Sequence, residues 1–304
     1  MTRVLMPFPA DAALASTMNQ AMQARIAPVA WRHFPDGESL VTLEDSLAGA
    51  DVAILASLRH ADALALPLRF AARTAREFGA RSVGLIAPYL GYMRQDTRFH
   101  RGEAISTPLF AQFLEEAFDW LVTVDPHLHR VERLQSLYRI PTVHVSATPA
   151  VARWIAETVP DAVLIGPDSE SEQWVADIAA LSSMPYQVLA KERHGDYDVR
   201  VSLPDPAAVA GRTPVLIDDI VSSGHTILET LAHLRRLSLP PPLLVAIHPV
   251  FAGDAYARLQ EAGLARIVST DTISHPSNAI ALGADLAAAA STLMTASTDS
   301  PEDP

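Results

Sequence analysis

The sequence predicts an α/β protein with two domains of the same class, each built on a largely parallel sheet flanked by helices. Short, continuously apolar runs of the kind buried in parallel sheets alternate with segments of helical apolar spacing along most of the chain. The length of 304 residues corresponds to two domains at about 150 residues each. Because the two halves show a similar order of elements, we predict domains at 1–146 and 147–296.

The apolar runs predict strands, and helical spacing fills the intervals between them. Strands are predicted at 4–6, 52–56, 83–87, 121–124 and 142–145 in the first half, and at 162–165, 186–189, 215–217, 243–247 and 267–268 in the second. Helices are predicted near 148–158, 170–181, 226–237 and 254–262, with an alanine-rich helix over 284–290. Residues 297–304, which consist of Ser, Thr, Asp, Glu and Pro, are predicted to form a disordered tail.

Composition and charge argue against several classes of function. No apolar run approaches the ~20 residues of a membrane span, so no membrane role is expected. The net charge of −12 disfavours a nucleic-acid partner, because binding to a phosphate backbone depends on clustered Lys and Arg. The absence of cysteine excludes disulfides, thiolate nucleophiles and cysteine-bound metals. The first residues lack the apolar stretch of a secretory signal, and a cytoplasmic location is expected.

The segment 215–226 joins an apolar strand, two acidic residues, a turn rich in small hydroxyls and the start of a helix. A turn at the carboxyl end of a parallel strand can direct backbone N–H groups and hydroxyls toward one anion, and the helix dipole adds about 0.3–1 kcal/mol per charge. Asp218 and Asp219 would repel a phosphate that they faced. They therefore suit ribose hydroxyls or a magnesium shell one sugar length away. The alternative is a capped helix that binds nothing, although a cap requires only one Ser or Thr.

Lys191 is the only lysine among 23 basic residues. A compact ammonium suits a phosphoryl group in transfer better than a planar guanidinium does. The polar segment 191–196 follows a predicted strand, so it can form a mobile flap that carries Lys191 and Arg193 over a substrate. A solvated run of charges would have the same composition, and that alternative stays open.

Three further segments can contribute to a nucleotide or metal site. Residues 89–103 follow a predicted strand and hold three arginines with aromatic and amide groups, which can grip phosphates and stack on a base, although an ordinary surface loop would look similar. Residues 33–38 place an aromatic side chain beside two carboxylates. His127 and Asp168 follow two other predicted strands, at the sheet edge where α/β proteins place ligands, and both are candidate metal ligands. A hydrogen-bonded loop histidine is the alternative for His127.

These segments, in this order and at these separations, resemble the ribose-phosphate pyrophosphokinase family, also called phosphoribosyl pyrophosphate synthetases, over nearly the whole chain. Residues 88–96 resemble the family signature P-Y-x-G-Y-x-R-Q-D, and 34–38 resemble its adenine-contacting stretch. Residues 124–127 are similar to the V-D-x-H segment whose histidine meets magnesium. Residues 191–193 resemble the catalytic flap, and 218–226 resemble the phosphoribosyl-binding loop shared with type I phosphoribosyltransferases.

The resemblance implies two type I phosphoribosyltransferase domains and a Mg²⁺-ATP reaction, in which the 1-hydroxyl of ribose 5-phosphate attacks the β-phosphorus of ATP, the diphosphoryl group moves and AMP leaves. It implies catalytic roles for Lys191 and Arg193 and magnesium at His127 and Asp168. Family members assemble so that 34–38 completes a neighbouring subunit's site, which implies a homodimer or a higher homo-oligomer. The implied ATP-binding residues are Phe34, Asp36, Glu38, Arg94, Gln95 and Asp96, and the implied residues for ribose 5-phosphate are Asp218, Asp219, Ser222, Ser223, Gly224, His225 and Thr226.

The chain departs from the family pattern at several positions, which indicates a divergent member. After Asp168 the family usually has a small residue and two glycines, whereas this chain has Ser-Glu-Ser-Glu-Gln at 169–173. The added carboxylates can repel a ribose phosphate or recruit a second cation. Position 225 is His where many relatives have Gly, and 57–62 lacks the polar Thr/Pro/Asn loop that is common there.

Other functions remain open at this point. A regulatory homologue could bind nucleotide and associate with a true synthetase without catalysis, and the altered 169–173 loop favours it. A phosphoribosyltransferase would use only 218–226 and would leave the N-terminal segments without a role. A metal hydrolase built on Asp125, His127 and His129 has no further ligand set in the sequence. Neither a G-x-x-x-x-G-K-[ST] loop nor a G-x-G-x-x-G fingerprint is present.

Overall fold

The computed structural model describes residues 2–43, 46–128, 133–189, 191–194, 198–201, 209–235 and 239–296, with backbone only at 191–194, 198–201 and 295–296. The chain divides into two compact units, each an α/β structure as predicted. The first unit comprises Met1–Val145, Thr272–Ser274 and the segment from Leu282 onward, and the second comprises Ser146–Asp271 and His275–Ala281. The predicted tail, 297–304, lies outside the described residues.

In its described part, the first unit contains a six-stranded parallel sheet with the order β2-β1-β5-β6-β7-β8. The central strands are covered on both faces, because every residue of β5 and β6 is buried. An antiparallel hairpin, β3-β4, stands apart from the sheet. The strands are β1 (Arg3–Pro7), β2 (Arg25–Ile26), β3 (Ala30–His33), β4 (Ser39–Thr42), β5 (Asp51–Leu55), β6 (Ser82–Ala87), β7 (Leu121–Val124) and β8 (Thr142–Val145).

The second unit repeats this plan. Its described part has a six-stranded parallel sheet with the order β10-β9-β13-β14-β15-β16 and a separate antiparallel hairpin, β11-β12. The strands are β9 (Ala162–Gly166), β10 (Tyr186–Val188), β11 (Lys191–His194), β12 (Asp198–Val201), β13 (Thr213–Ile220), β14 (Leu243–His248), β15 (Arg266–Thr270) and β16 (Asn278–Ile280).

Helices connect the parallel strands and cover the sheets with their apolar faces. None of the described helices is both long enough and apolar enough to cross a membrane. The helices are α1 (Ala12–Met22), α2 (Ala61–Glu77), α3 (Ser106–Glu115), α4 (Thr148–Thr158), α5 (Glu172–Ser182), α6 (His225–Leu234), α7 (Ala255–Glu261) and α8 (Gly283–Ala296).

The C-terminal helix belongs to the first unit, although the predicted second domain, 147–296, includes it. Helix α8 packs on α1 and on strands β6, β7 and β8. Gly283 begins this helix beside Thr17 of α1, and a Cβ at position 283 would lie 2.4 Å from the Thr17 hydroxyl oxygen. The chain therefore returns to cover the first sheet after it has completed the second. Sequence order alone gives no sign of this return, because the apolar face of a helix does not specify which sheet it covers.

Gly84 of β6 allows the buried indole of Trp120 to lie directly on the sheet. A Cβ at position 84 would lie 1.9–2.3 Å from three ring atoms of Trp120, whose side chain is 1% exposed. The indole is rigid and surrounded by packed core, so neither side can yield without displacing neighbours.

We expect Gly84→Ala to lower the free energy of unfolding by about 1–3 kcal/mol, the usual cost of overpacking a core. Urea denaturation would measure this change. The double variant Gly84→Ala/Trp120→Leu removes the ring that causes the clash, so its loss should be smaller than the sum of the two single losses. Strictly additive losses would show that the indole is not the obstacle.

Asp11 is a buried carboxyl group in the first unit. It is 5% exposed and accepts the backbone N–H of Ser57 at 3.1 Å, while the Ser57 hydroxyl donates to the Thr272 carbonyl at 2.6 Å. Burial raises the pKa of Asp11 to about 6 from an ordinary value of 3.8, and the hydrogen bond from Ser57 offsets only part of this rise. The folded state thus holds a proton on Asp11 more firmly than the unfolded state does.

Asp11 should therefore contribute stability at acidic pH that is lost as the pH rises through about 6. We expect Asp11→Asn, which keeps an acceptor for the Ser57 N–H, to be more stable than the wild type by about 3 kcal/mol at pH 8 and by little at about pH 3, below the ordinary value of 3.8. Denaturation midpoints at both pH values test this. Asp177→Asn, a change at an exposed position of α5, is the matched control. A stability difference between Asp11→Asn and the wild type that grows as the pH falls would contradict a raised pKa of Asp11.

Candidate active site

The predicted site residues follow the carboxyl ends of neighbouring strands in each sheet. In the second unit, Asp168 follows β9, and 218–226 begins in the adjacent strand β13. In the first unit, 88–96 follows β6 and His127 follows the adjacent strand β7. Loops at the carboxyl ends of parallel strands share one edge, where open α/β sheets bind ligands. The fold therefore gathers these residues into two groups, one on each unit.

The loop 222–226 turns its carbonyl groups into the protein. The Ser222 carbonyl accepts a backbone N–H at 3.0 Å, the Ser223 carbonyl accepts the Arg258 guanidinium at 3.0 Å, and the Gly224 carbonyl accepts an N–H of α6 at 2.9 Å. Gly224 has φ +71°, a left-handed conformation that glycine adopts without steric cost. This conformation turns the chain from β13 into α6.

The N–H groups of the same loop remain available to a ligand. In the part of the chain that the structure describes, their one acceptor is the Ser223 hydroxyl, which lies 3.4 Å from the His225 N–H. Helix α6 begins at His225, so the positive end of its dipole reaches the same place. The His225 side chain turns away along the helix, with Nε2 3.0 Å from Glu229 Oε1. This arrangement suits a phosphate group better than a cation.

Asp218 and Asp219 are half-buried and lie near the carboxyl end of β13, just before that loop. Burial raises the pKa of Asp218 well above its ordinary range, and the negative charges of Asp219 and Asp168 raise it further. Asp219 Oδ1 accepts the N–H of Ile220 at 2.7 Å. Carboxyl groups that repel one another at one sheet edge are well suited to receive hydroxyl donors or a cation.

Asp168 begins a short 3₁₀ turn at Ser169–Ser171. Its Oδ1 accepts the N–H groups of Glu170 and Ser171 at 3.1 and 3.2 Å, and the Ser171 hydroxyl donates to the Asp168 carbonyl at 2.6 Å. A Cβ at position 166 would lie 2.5 Å from Ser171 Oγ, so Gly166 provides the room for this buried side chain. The two added glutamates of the loop are exposed. The divergent loop is thus a capped turn.

Residues 191–194 of the predicted flap form β11, one strand of the β11-β12 hairpin, and residues 195–196 lie outside the described residues. Lys191 lies opposite Val201, and Arg193 lies opposite Val199 in an antiparallel register. The sequence predicted a polar flap after a strand but not that the flap itself is a strand. The side chains of Lys191 and Arg193 lie outside the described part, so their catalytic roles stay predictions.

In the first unit, the loop 88–96 lies closely against the segment after β5. The Leu58 N–H donates to the Tyr89 carbonyl at 2.8 Å. A Cβ at position 91 would lie 2.9 Å from the Leu58 carbonyl oxygen, so Gly91 permits this approach. Arg94 is exposed and Gln95 half-buried, and both line a cavity of about 520 Å³ at this edge. Asp96, which follows them, is half-buried and does not line this cavity.

Tyr92 fixes the shape of the same loop. It has φ +64°, its hydroxyl donates to Asp62, and its carbonyl accepts the Thr107 hydroxyl at 2.8 Å. Its ring packs on Phe110 with 4.7 Å between centroids. Sequence patterns did not reveal that Asp62 holds this loop, because the two residues lie on different connections of the sheet.

Phe34, Asp36 and Glu38 form the exposed tip of the β3-β4 hairpin. The Phe34 N–H donates to the Glu38 carbonyl at 2.8 Å, and the Arg32 guanidinium lies 5.0 Å from the Phe34 ring centroid. Asp36 and Glu38 line a second cavity, of about 670 Å³, together with Asp62. Because Asp62 also lines the first cavity, the two cavities adjoin within one chain.

His127 is half-buried in the loop after β7. The start of this loop is fixed by Asp125, which is fully buried with φ +29° and lies 2.6 Å from His144 Nε2 through its Oδ1. The sequence patterns did not identify His144. The signal that could have done so is its position on β8, the strand adjacent to β7. His129 lies outside the described residues.

No group of three or more His, Asp or Glu side chains within the described ranges is arranged to hold a metal ion. The predicted ligands His127 and Asp168 belong to different units. Asp218 has both Asp219 and Asp168 within electrostatic reach, so these three carboxyl groups supply oxygen donors on the second unit.

Both halves of the chain match domains of known proteins. Residues 4–117 match the N-terminal domain of ribose phosphate pyrophosphokinase, and residues 145–282 match the phosphoribosyl transferase domain. The chain is 31% identical to a ribose-phosphate pyrophosphokinase of Methanopyrus kandleri over 92% of this chain and 96% of that protein. It is 33% identical to one of Halobacterium salinarum over 86% of this chain and 90% of that protein.

A solved structure is similar over the whole length. The crystal structure of phosphoribosylpyrophosphate synthetase from Mycobacterium smegmatis superposes with a TM-score of 0.83 at 24% identity, covering 99% of this chain and 100% of that one. At this identity the likeness shows the fold. The predicted fold class, with two domains of the phosphoribosyltransferase type, is confirmed. The sequence matches over nearly the full length of the relatives place the chain in the ribose-phosphate pyrophosphokinase family.

Proposed function

We propose that this protein is a ribose-phosphate diphosphokinase, which transfers the diphosphoryl group of Mg-ATP to the 1-hydroxyl of ribose 5-phosphate. The products are phosphoribosyl pyrophosphate and AMP. The observation that carries the proposal is the loop 222–226, whose N–H groups are available to an anion at the end of a strand that bears two carboxyl groups. A helix cap alone would not require this combination.

The second unit holds the sugar substrate in this proposal. The phosphate of ribose 5-phosphate binds to the backbone N–H groups and hydroxyls of Ser222, Ser223, Gly224, His225 and Thr226. Asp218 and Asp219 accept hydrogen bonds from the ribose hydroxyls, a role that a half-buried pair of carboxyl groups at the same strand end supports. Because the His225 side chain pairs with Glu229, this position serves through its backbone.

The first unit holds the nucleotide. Arg94 and Gln95 line its cavity, and Asp96 follows them in the loop. Phe34, Asp36 and Glu38 contact the adenine, for which an aromatic face and carboxylate acceptors are suited. The resemblance assigns this hairpin tip to the site of a neighbouring subunit, and its exposure supports a homodimer or a higher homo-oligomer. We also propose a cytoplasmic location, since a chain without cysteine needs no oxidising compartment.

The described side chains suit magnesium. Mg²⁺ prefers oxygen ligands, keeps several waters and needs only one or two protein carboxylates. Asp168 would hold the cation on the second unit beside Asp218, and His127 on the first unit is the other proposed ligand. Bound Mg²⁺ would neutralise charge on the diphosphoryl group.

The transfer itself is mostly positioning and charge neutralisation. The ribose 1-oxygen forms a bond to the β-phosphorus, the bond from that phosphorus to the α,β-bridging oxygen breaks, and AMP leaves with the electron pair. The ribose hydroxyl releases its proton to solvent water as this bond forms. Lys191 and Arg193 on β11 are proposed to stabilise the negative charge of the transferring group, as a compact ammonium and a guanidinium can do.

The proposal is tested by incubating purified protein with ATP, Mg²⁺ and ribose 5-phosphate and separating nucleotides by chromatography. AMP should appear only when the sugar phosphate is present. Release of inorganic phosphate in place of AMP would redirect the assignment to hydrolysis.

A regulatory homologue that binds nucleotide without transfer is the second candidate, favoured by the turn after Asp168. There Asp168 Oδ1 is engaged by two backbone N–H groups at 3.1 and 3.2 Å. Calorimetry with ATP, combined with the chromatographic assay, separates the two functions. The regulatory homologue would bind ATP and produce no AMP under any condition of the assay.

A further inference from the structure

Arg59 and His60 line the same cavity as Arg94 and Gln95. They lie in the segment 57–62 that departs from the family pattern, and the proposed function gives them no role. Arg59 is half-buried and His60 is exposed.

The segment that carries Arg59 is held in place by backbone hydrogen bonds on both sides. Before it, the Ala56 N–H donates to the Ile86 carbonyl at 3.0 Å, and the Leu58 N–H donates to the Tyr89 carbonyl at 2.8 Å. After it, helix α2 begins at Ala61. The position of Arg59 relative to the 88–96 loop is therefore set by the sheet edge and does not depend on a free loop.

The charges of the cavity wall favour an anion. Two arginines, Arg59 and Arg94, line the cavity with one acidic residue, Asp62, which accepts a hydrogen bond from the Tyr92 hydroxyl. A cavity that two arginines line is notable in a chain of net charge −12, because positive residues there raise the local potential for an anion. Guanidinium groups match the oxygens of phosphate with two parallel hydrogen bonds. The volume of about 520 Å³ lies within the range of small-molecule pockets.

We propose that Arg59, assisted by His60, binds the phosphates of the donor nucleotide opposite Arg94. The identity of the nucleotide rests on the proposed function, whereas the choice of phosphates over base follows from the charges of the wall. Arg59 is a specificity-determining residue in this view, because its contribution grows with the number of phosphates on the ligand.

The experiment is calorimetric titration of the full chain with ATP, ADP and AMP, with ribose 5-phosphate left out. We expect Arg59→Gln to weaken ATP binding about tenfold and AMP binding less than about threefold, as loss of a charge-assisted hydrogen bond to a distal phosphate requires. Arg59→Lys keeps the charge and should fall between Arg59→Gln and the wild type. Arg69→Gln is the matched control. Arg69 lies on α2, forms an ion pair with Glu116 at 2.8 Å and does not line this cavity.

Two results would overturn the inference. One is unchanged ATP affinity in Arg59→Gln, and the other is an equal loss for AMP and ATP, which would assign Arg59 to the base or the ribose. Circular dichroism confirms that each variant is folded, and Arg59→Lys serves if Arg59→Gln is not. A wild type that binds ATP but forms no AMP would defeat the proposed function and leave this inference standing. AMP formation by the wild type, together with an unchanged ATP affinity in Arg59→Gln, would support the proposed function and overturn this inference.

Discussion

Replacing Lys191 with Ala should lower kcat by at least about 100-fold while the dissociation constants of ATP and ribose 5-phosphate change by less than about threefold. The ammonium group is proposed to act chiefly on charge that develops as the diphosphoryl group moves, and an interaction that strengthens only in the transition state affects turnover more than binding. Steady-state rates, together with calorimetry on the same preparation, measure both quantities.

Two further variants on the β11-β12 hairpin make this result specific. Lys191→Arg keeps the charge and replaces the compact ammonium with a planar fork, so it should recover only part of kcat. Arg200→Ala removes a basic residue from the paired strand, where Arg200 lies opposite Glu192, and should leave kcat close to that of the wild type. An unchanged kcat in Lys191→Ala would remove its catalytic role. An equal loss of kcat in Arg200→Ala would indicate that the effect comes from the hairpin as a whole and not from the Lys191 ammonium.

Replacing Asp219 with Ala should raise the dissociation constant of ribose 5-phosphate by about 10- to 100-fold, because hydrogen bonds to a charged group contribute about 1.5–3 kcal/mol. ATP affinity should not change, since the proposed nucleotide residues lie on the other unit. Removal of the Asp219 charge should also lower the pKa of Asp218 toward its ordinary range, because that charge helps to raise it.

Calorimetry with ribose 5-phosphate measures the affinity of the Asp219→Ala variant. Asp161→Ala is the matched control, because Asp161 is an exposed carboxylate that accepts the Thr213 hydroxyl at 3.0 Å just before the start of β9, at the opposite edge of the same sheet. Equal affinity of Asp219→Ala and wild type for the sugar phosphate would refute the assignment of Asp219. A comparable loss in Asp161→Ala would indicate a general effect of the charge removed.

Much of the fold follows from local patterns. The predicted strands 121–124 and 142–145 and the predicted helix 148–158 coincide with the observed elements. The missed strands include β3, β4, β11 and β12, which form two-stranded hairpins apart from the main sheets. The residues of β3 and β4 are exposed or half-buried. None of the four strands is a continuous apolar run in the sequence, so the pattern that identifies buried parallel strands does not apply to them.

The sequence by itself determined the α/β class, the family and the local order of strand, acidic pair, turn and helix at 215–226, because these depend on neighbouring residues. Only the tertiary structure decided that His144 meets Asp125, that Asp62 holds Tyr92 and that α8 covers the first sheet. The partners in each case lie on different strands or helices. Their contact is set by how the sheet orders its strands, and many arrangements of the same local elements satisfy the same apolar pattern.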